Sequence, residues 1–292
     1  MTDNQNQAIL VQFEENLTAA ALSASTIVNY LADLRAFLRW GETQFGDQFS
    51  LRAVTQEHIR LYRYHLSQEL TRAASTVNRH LMSLRKFFTF AKDVEMIASD
   101  PCEGVALVQD NGQAISRPIS QVDTEKLLLA AQSGSRAGLI RRDLAILQLL
   151  LHTGLRVSEL VDLKTDDLIF NNPGVQLRVS TGADEADARY LPVSSQVCKD
   201  LNDYLAYRPR ASQTTHFFLN QRGEAISGRT IQRVISDCTK TAGLEGVSAQ
   251  SLRRTFALNL LAETNDLALV SERLGHQSKT ITAQYLAVHD DK

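Results

Sequence analysis

One interruption constrains this 292-residue chain more than any other feature. Apolar residues recur at helical spacing along most of its length, but from Ala98 to Pro118 the period lapses into Ser99-Asp100-Pro101, Glu103-Gly104 and Asn111-Gly112. Prolines bias the residue before them away from helix and Asn-Gly favours a turn, so the stretch reads as a connection between two folded units. A chain this long also exceeds the usual single core. The expected boundaries are 1–108 for an N-terminal unit, 109–118 for a linker and 119–292 for a C-terminal unit.

Before the break, four segments carry an apolar stripe. Residues 8–22 place Leu10, Phe13, Leu17 and Ala21 on one face, and residues 25–43 do so with Ile27, Leu31, Leu34 and Leu38, behind a Ser23/Ser25/Thr26 capping region. A third segment, Thr55 to Leu70, turns Ile59, Tyr62 and Leu66 inward; a fourth, Ala74 to Met96, does the same with Val77, Leu81, Leu84 and Phe88. Four such helices make a small bundle. After the break, Ser120 to Ala131, Arg141 to Leu151 and Val157 to Leu163 read as helices. Val175 to Ser180 and Ala188 to Val193 carry β-branched or alternating residues around Gly182 and read as a hairpin, and helices resume near Ser195. The fold class is therefore mainly α, with a small β element in the second unit.

A net charge of -2 argues against a nucleic-acid partner until the charge is located. Between Leu51 and Lys92 stand Arg52, Arg60, Arg63, Arg72, Arg79, Arg85, Lys86 and Lys92 against Glu57 and Glu69 alone. Arg60 with Arg63, and Arg79 with Lys86, share helix faces away from the apolar stripes. Arg60, Arg63, Arg72, Arg79, Arg85 and Lys86 are thus candidate phosphate contacts, the alternative being solvated surface charge with few acidic partners. Three cysteines without C-x-x-C spacing support neither a disulfide framework nor a zinc site, and no metal or cofactor is expected. The longest apolar runs fall well short of the roughly 20 residues that span a bilayer. The polar, acidic start lacks the features of a signal peptide, which points to a cytoplasmic, nucleoid-associated protein away from the membrane.

Three separated motifs carry the chemistry. His152-Thr153-Gly154-Leu155-Arg156-Val157-Ser158-Glu159-Leu160 sets a glycine turn between apolar helices and an arginine at the second helix's N-terminus, where a cation does not help the helix but suits an anion site. Ser251-Leu252-Arg253-Arg254-Thr255-Phe256-Ala257 follows, then Leu274-Gly275-His276 with Tyr285 nine residues beyond the histidine. Singly, Arg156 is compatible with a surface cation, His276 with a helix cap and Tyr285 with a core aromatic. Together and in this order, the motifs resemble the tyrosine recombinases of the phage integrase family, and the whole chain resembles the compact members that resolve chromosome dimers. No additional N-terminal arm-binding domain is seen.

That resemblance implies a four-helix, SAM-like core-binding domain followed by an α+β catalytic domain. It implies that Arg156 and Arg253 clamp a phosphodiester, that His276 donates a hydrogen bond to it, and that Tyr285 attacks phosphorus to give a 3′-phosphotyrosyl bond. Double-stranded DNA is the expected partner, with self-association into a dimer or tetramer on DNA; an accessory protein is a further candidate. Glu159, one turn after Arg156, is open between orienting that arginine and being a surface acid.

Three departures bear on activity. Relatives carry a hairpin lysine that acts as general acid on the leaving 5′-oxygen, but no lysine occurs between Lys164 and Lys199, and alignment on Arg189-Tyr190-Leu191-Pro192 puts Asp184 at that position. Lys164 and Lys279 are distant substitutes, and a guanidinium is too weak an acid for Arg189 to replace lysine. Gln250 stands where the family has histidine and cannot shuttle a proton. Only seven residues follow Tyr285, too few for the helix that many relatives dock on a neighbour, so protomers would use other contacts or trade the tyrosine segment. The readings carried forward are an active recombinase, a relative that binds DNA with attenuated or lost catalysis, and a helical scaffold with no DNA role.

Overall fold

The structure is a computed structural model. It describes residues 2–109, 116–133, 137–171, 174–180, 188–208, 214–276 and 278–287. The chain divides into two compact units, Met1–Gln113 and Ala114–Lys292.

The first unit is built on α1 (Thr2–Ala19), α2 (Ala24–Phe45), α3 (Gln56–Tyr64) and α4 (Ala74–Asp93), with a short 3-10 turn at Leu51–Ala53. Each contributes an apolar stripe to one core in which Phe13, Leu17, Leu34, Phe37, Phe87 and Phe88 are fully buried. Aromatic edges lock it: Phe13 meets Phe87 at 5.3 Å and Phe37 meets Tyr62 at 5.0 Å between ring centroids. The bounds differ from the sequence reading for local reasons. α1 begins earlier, through polar residues, because Asn6 is buried and its amide donates to the Phe49 carbonyl at 3.0 Å and accepts from the Leu51 amide at 3.1 Å. It also ends earlier, at a left-handed Ala21. The third segment is not one α-helix: after Tyr64 it widens into a π turn at His65–Glu69. α4 stops at Asp93, ahead of a left-handed Glu95.

In the second unit, α6 (Ala137–Thr153) is the central element, buried all along Ala145 to Leu151, the polar Gln148 included. Around it pack α5 (Gln121–Gln132), α8 (Ser195–Tyr207), α9 (Gly228–Thr241) and α10 (Ala249–Thr264). An antiparallel sheet in the order β1 (Leu168–Asn171), β2 (Gly174–Val179) and β3 (Arg189–Val193) lies beside them. Its register pairs Leu168 with Leu177 and Leu177 with Leu191, so the three leucines line one buried face. The expected hairpin is β2 and β3, while β1 was not foreseen; four residues are too few to show a period. The hairpin tip with Gly182 and Asp184 lies outside the described residues. Short helices complete the unit: α7 (Val157–Asp162), α11 (Leu267–Leu274) and α12 (Lys279–Ala287). Cys102, Cys198 and Cys238 are free thiols, and burial pushes Cys102 up to about 12 and Cys238 to about 11. No described helix is long and apolar enough to cross a membrane.

Candidate active site

The three motifs converge within the second unit. Gly154 ends α6 with φ +62°, and a Cβ there would meet the Phe256 ring at 2.4 Å, so only glycine makes the turn that delivers Arg156 to the N-cap of α7. Arg156 is tied down on two sides while keeping a side chain 42% exposed. Its Nη1 donates to Glu159 Oε1 at 2.9 Å and its Nη2 to the Gly275 carbonyl at 3.2 Å; its backbone amide donates to Glu159 Oε2 at 2.7 Å. Arg253, from α10, is buried, with Nη1 donating to the Gly154 carbonyl and Nη2 to the Leu274 carbonyl, both at 2.6 Å. Burial and the neighbouring Arg156 charge lower its pKa to about 10, which still leaves it cationic at neutral pH.

Glu159 is a buried acid, not a surface one. Each oxygen accepts from both Arg156 and Arg189, and Arg253 Nη1 lies 3.9 Å away. Burial alone would raise its pKa, but the hydrogen bonds and charges of Arg189 and Arg156 prevail and lower it. One carboxylate thus sits among three guanidinium groups, leaving net positive charge where an anion would bind.

His276 follows the left-handed Gly275 that closes α11. Its Nε2 is 3.2 Å from Arg253 Nη2 and its Nδ1 is 2.8 Å from the Thr282 hydroxyl. A guanidinium only donates, so Nε2 accepts and the proton resides on Nδ1, donating to Thr282. Burial first, then Arg253, Arg156 and Arg189, lower the ring's pKa to about 4. The expected donor to phosphate is therefore an acceptor in this arrangement, and donation from Nε2 requires the ring either to gain a proton or to move its proton from Nδ1 to Nε2, with Nδ1 then accepting from the Thr282 hydroxyl.

Tyr285, on α12, lies beside these groups of the same chain. Its ring meets His276 edge to face at 5.7 Å, and its hydroxyl is 3.4 Å from the Gln250 carbonyl, to which it donates. Burial raises the phenol's pKa, while Arg253, Arg254 and Arg156 pull it down. The exposed Gln250 contributes that carbonyl; this is a backbone contact that side-chain reasoning did not anticipate. Arg254, also missed, is buried and donates to the Leu286 carbonyl at 3.2 Å, holding the tyrosine helix to α10. Lys164 and Lys279 are exposed and make no described contact with this cluster. A separate cleft of about 810 Å³ in the same unit, lined by Arg142, Asp143, Arg222, Arg233 and Asp237, contains none of these residues. Among the described residues no group of His, Cys, Asp or Glu is arranged to hold a metal.

In the first unit the six basic candidates divide. Arg60, Arg72 and Lys86 are exposed. Arg63 donates to the Ala106 carbonyl at 2.8 Å and Arg85 to the Val105 carbonyl at 2.6 Å. Arg79 is paired at 2.5 Å with Asp33, a buried acid of α2 that also accepts from Ser83. The apparent shortage of acidic partners thus fails for Arg79, because its partner comes from outside the stretch that was counted.

A half-buried phenol beside two fixed guanidinium groups defines a site for nucleophilic attack on an anionic ester, carried on a helical scaffold with a three-stranded sheet. Residues 119–292 match the phage integrase family, and residues 10–94 match the phage integrase N-terminal SAM-like domain. Tyrosine recombinase XerC of Pelobacter propionicus is 31% identical over 277 residues, covering 94% of this chain and 88% of that protein. Tyrosine recombinase XerD of Lacticaseibacillus casei is 31% identical over 273 residues, covering 90% and 88%. Among solved structures, the XerH site-specific recombinase bound to a palindromic difH substrate superposes with a TM-score of 0.75 at 20% identity, over 91% of this chain and 77% of that one. A lambda integrase dimer bound to a core site gives 0.73 at 18%, over 98% and 78%. The chain belongs to the phage integrase family, the tyrosine recombinases.

Proposed function

We propose that this chain breaks and rejoins duplex DNA at specific sites through a covalent tyrosine intermediate. The observation that carries the reading is the gathering of Arg156, Arg253 and Tyr285, which are far apart in sequence, at one place in the second unit. A phenol with a free pKa of ~10 is a weak nucleophile, and a phosphodiester is already anionic, so cationic neutralisation is the first requirement. Arg156 and Arg253 would take the non-bridging oxygens in the fork geometry that suits phosphate. Tyr285 Oη bonds to phosphorus as the P–O5′ bond breaks; the electron pair stays on O5′, which takes up a proton, and the phenol loses one. The phosphotyrosyl bond conserves the ester's energy for rejoining to a second strand. Four protomers on two sites, each holding one half-site, would form the synapse, with the first unit's exposed Arg60, Arg72 and Lys86 on backbone phosphates. The setting would be the cytoplasm, at the nucleoid.

A nicked suicide DNA duplex tests this. The wild-type chain should form a denaturant-resistant adduct, and Tyr285→Phe should bind the same DNA and form none. A second reading, a DNA-binding relative without cleavage, is favoured by the lack of lysine between Lys164 and Lys199 and by Gln250. Tight binding by the wild-type chain with no adduct would select it, whereas binding insensitive to salt would exclude both in favour of a scaffold.

A further inference from the structure

Arg189 has no part in the chemistry above, yet its side chain is committed to three hydrogen bonds within the cluster. We propose that Arg189 is a positioning residue for strand cleavage: through Glu159 and the Arg273 carbonyl it fixes Arg156 and the Gly275-His276 turn, and it does not deliver the proton to the leaving 5′-oxygen. The inference rests on the covalent-tyrosine reading.

The Arg189 side chain is 10% exposed and all three of its nitrogens are engaged. Nη1 and Nη2 donate to Glu159 Oε1 and Oε2 at 3.0 and 2.8 Å, a two-pronged fork, and Nε donates to the Arg273 carbonyl at 3.0 Å. A guanidinium provides this parallel pair and an ammonium does not. Arg273 returns the link, its Nη1 donating to the Tyr190 carbonyl at 2.6 Å, so the end of α11 is stitched to the start of β3 by two reciprocal bonds. Gly275 comes next, and a Cβ on it would lie 2.7 Å from Arg189 Nη1, so the guanidinium rests on bare backbone. The Gly275 carbonyl and the Glu159 carboxylate are the two groups that hold the Arg156 guanidinium. Arg189 bonds the carboxylate directly and reaches the Gly275 turn through the Arg273 carbonyl two residues before it and by packing against Gly275 itself. A cation with every nitrogen bonded to the protein interior in this way is placed to orient its neighbours, not to release a proton outward.

The test compares nicked duplexes carrying the ordinary 5′-oxygen or a bridging 5′-sulfur at the cleaved bond. Sulfur leaves as thiolate and needs no proton donor. Arg189→Met should slow adduct formation by about 10²-fold on both substrates, the scale of a 1 Å misplacement. DNA affinity should hold within about twofold. Arg189→Lys, which keeps the charge and loses the fork, should not restore the rate. Combining Arg189→Met with Glu159→Gln should cost no more than the worse single change. Recovery of full rate on the sulfur substrate would make Arg189 the proton donor and overturn the proposal, as would independent, multiplying losses in the double variant. If Arg189→Met does not fold, Arg189→Lys carries the same two-substrate comparison. A wild-type chain that forms no adduct on either DNA defeats the covalent reading alone; Arg189 is then judged by NMR. The Arg156 Nε–H signal should be sharp in the wild type and broadened in Arg189→Met, and an unchanged signal would refute positioning.

Discussion

Glu159→Gln keeps the side chain's volume and removes half of its accepting capacity. Oε1 accepts from Arg156 Nη1 and Arg189 Nη1, and Oε2 from the Arg156 amide and Arg189 Nη2. An amide nitrogen in either place turns donors toward two donors, so one pair of bonds is lost and the guanidinium groups lose their counter-charge. Breaking a buried ion pair from one side costs about 3–5 kcal/mol, and the lower end applies because Arg156 is partly solvated. With a urea slope of about 3 kcal/mol per molar for a chain of this size, a loss of about 3 kcal/mol lowers the unfolding midpoint by about 1 M. Far-UV circular dichroism follows the loss, and fluorescence of Trp40, the single tryptophan, reports on the first unit separately. A midpoint shifted by less than about 0.3 M would refute the assignment of Glu159 as the cluster's counter-charge. The pH dependence supplies a sign. The Glu159 pKa is lower in the folded chain than its ordinary 4.5, so its stabilisation is present above that value and is lost as pH falls through the folded value. The gap between wild type and variant should close on acidification; a gap that widens contradicts the charge account.

His276, lowered to about 4, should remain an Nδ1–H neutral ring by ¹⁵N NMR until well below pH 6. Its folded pKa lies below the unfolded 6.5, so the chain loses stability as pH falls from 6.5 toward 4. The ceiling is about 3 kcal/mol, reduced to roughly 1–2 by screening of a partly exposed ring, and a His276→Asn variant with the same acid sensitivity would contradict this. Gly275→Ala, at φ +63° and against Arg189, should destabilise by about 1–2 kcal/mol in urea titration, and a neutral outcome would mean that the turn tolerates a side chain. Arg60→Ala with Lys86→Ala should reduce the slope of log affinity against log salt by about 2 for nonspecific duplex DNA, whereas Arg79→Ala, already paired with Asp33, should lower it less. Equal effects from Arg60 and Arg79 would remove that distinction.

Helical spacing was sufficient to place the amphipathic helices of the first unit and the first helices of the second, because burial along one face leaves a direct mark on the sequence; beyond Ser195 it indicated helix without separating α8, α9 and α10. Elements held by distant partners left none. The polar start of α1 is helical because Asn6 docks on Phe49 and Leu51, more than forty residues away. The π turn after Tyr64 and the four-residue β1 are too short for a period to register. At the site, residue types and order indicated the arginines, the histidine and the tyrosine. Their interdependence was not legible, since Glu159 and Arg189 are 30 residues apart and either one alone passes for a surface charge. The nearest signal was an acid one turn after an N-terminal arginine. The histidine's proton was also out of reach, because it is set by Thr282 and Arg253 on either side of the ring.

The tyrosine helix is clasped by its own chain: Arg254 grips the Leu286 carbonyl, and the Tyr285 ring rests on His276. A catalyst housed this way brings its own cutting group to each half-site. Mixing a protomer disabled at Arg253 with another disabled at Tyr285 should therefore yield no restored cleavage, since neither subunit can lend what the other lacks. In a mixed assembly, the strand that is cut reports which subunit sits beside it.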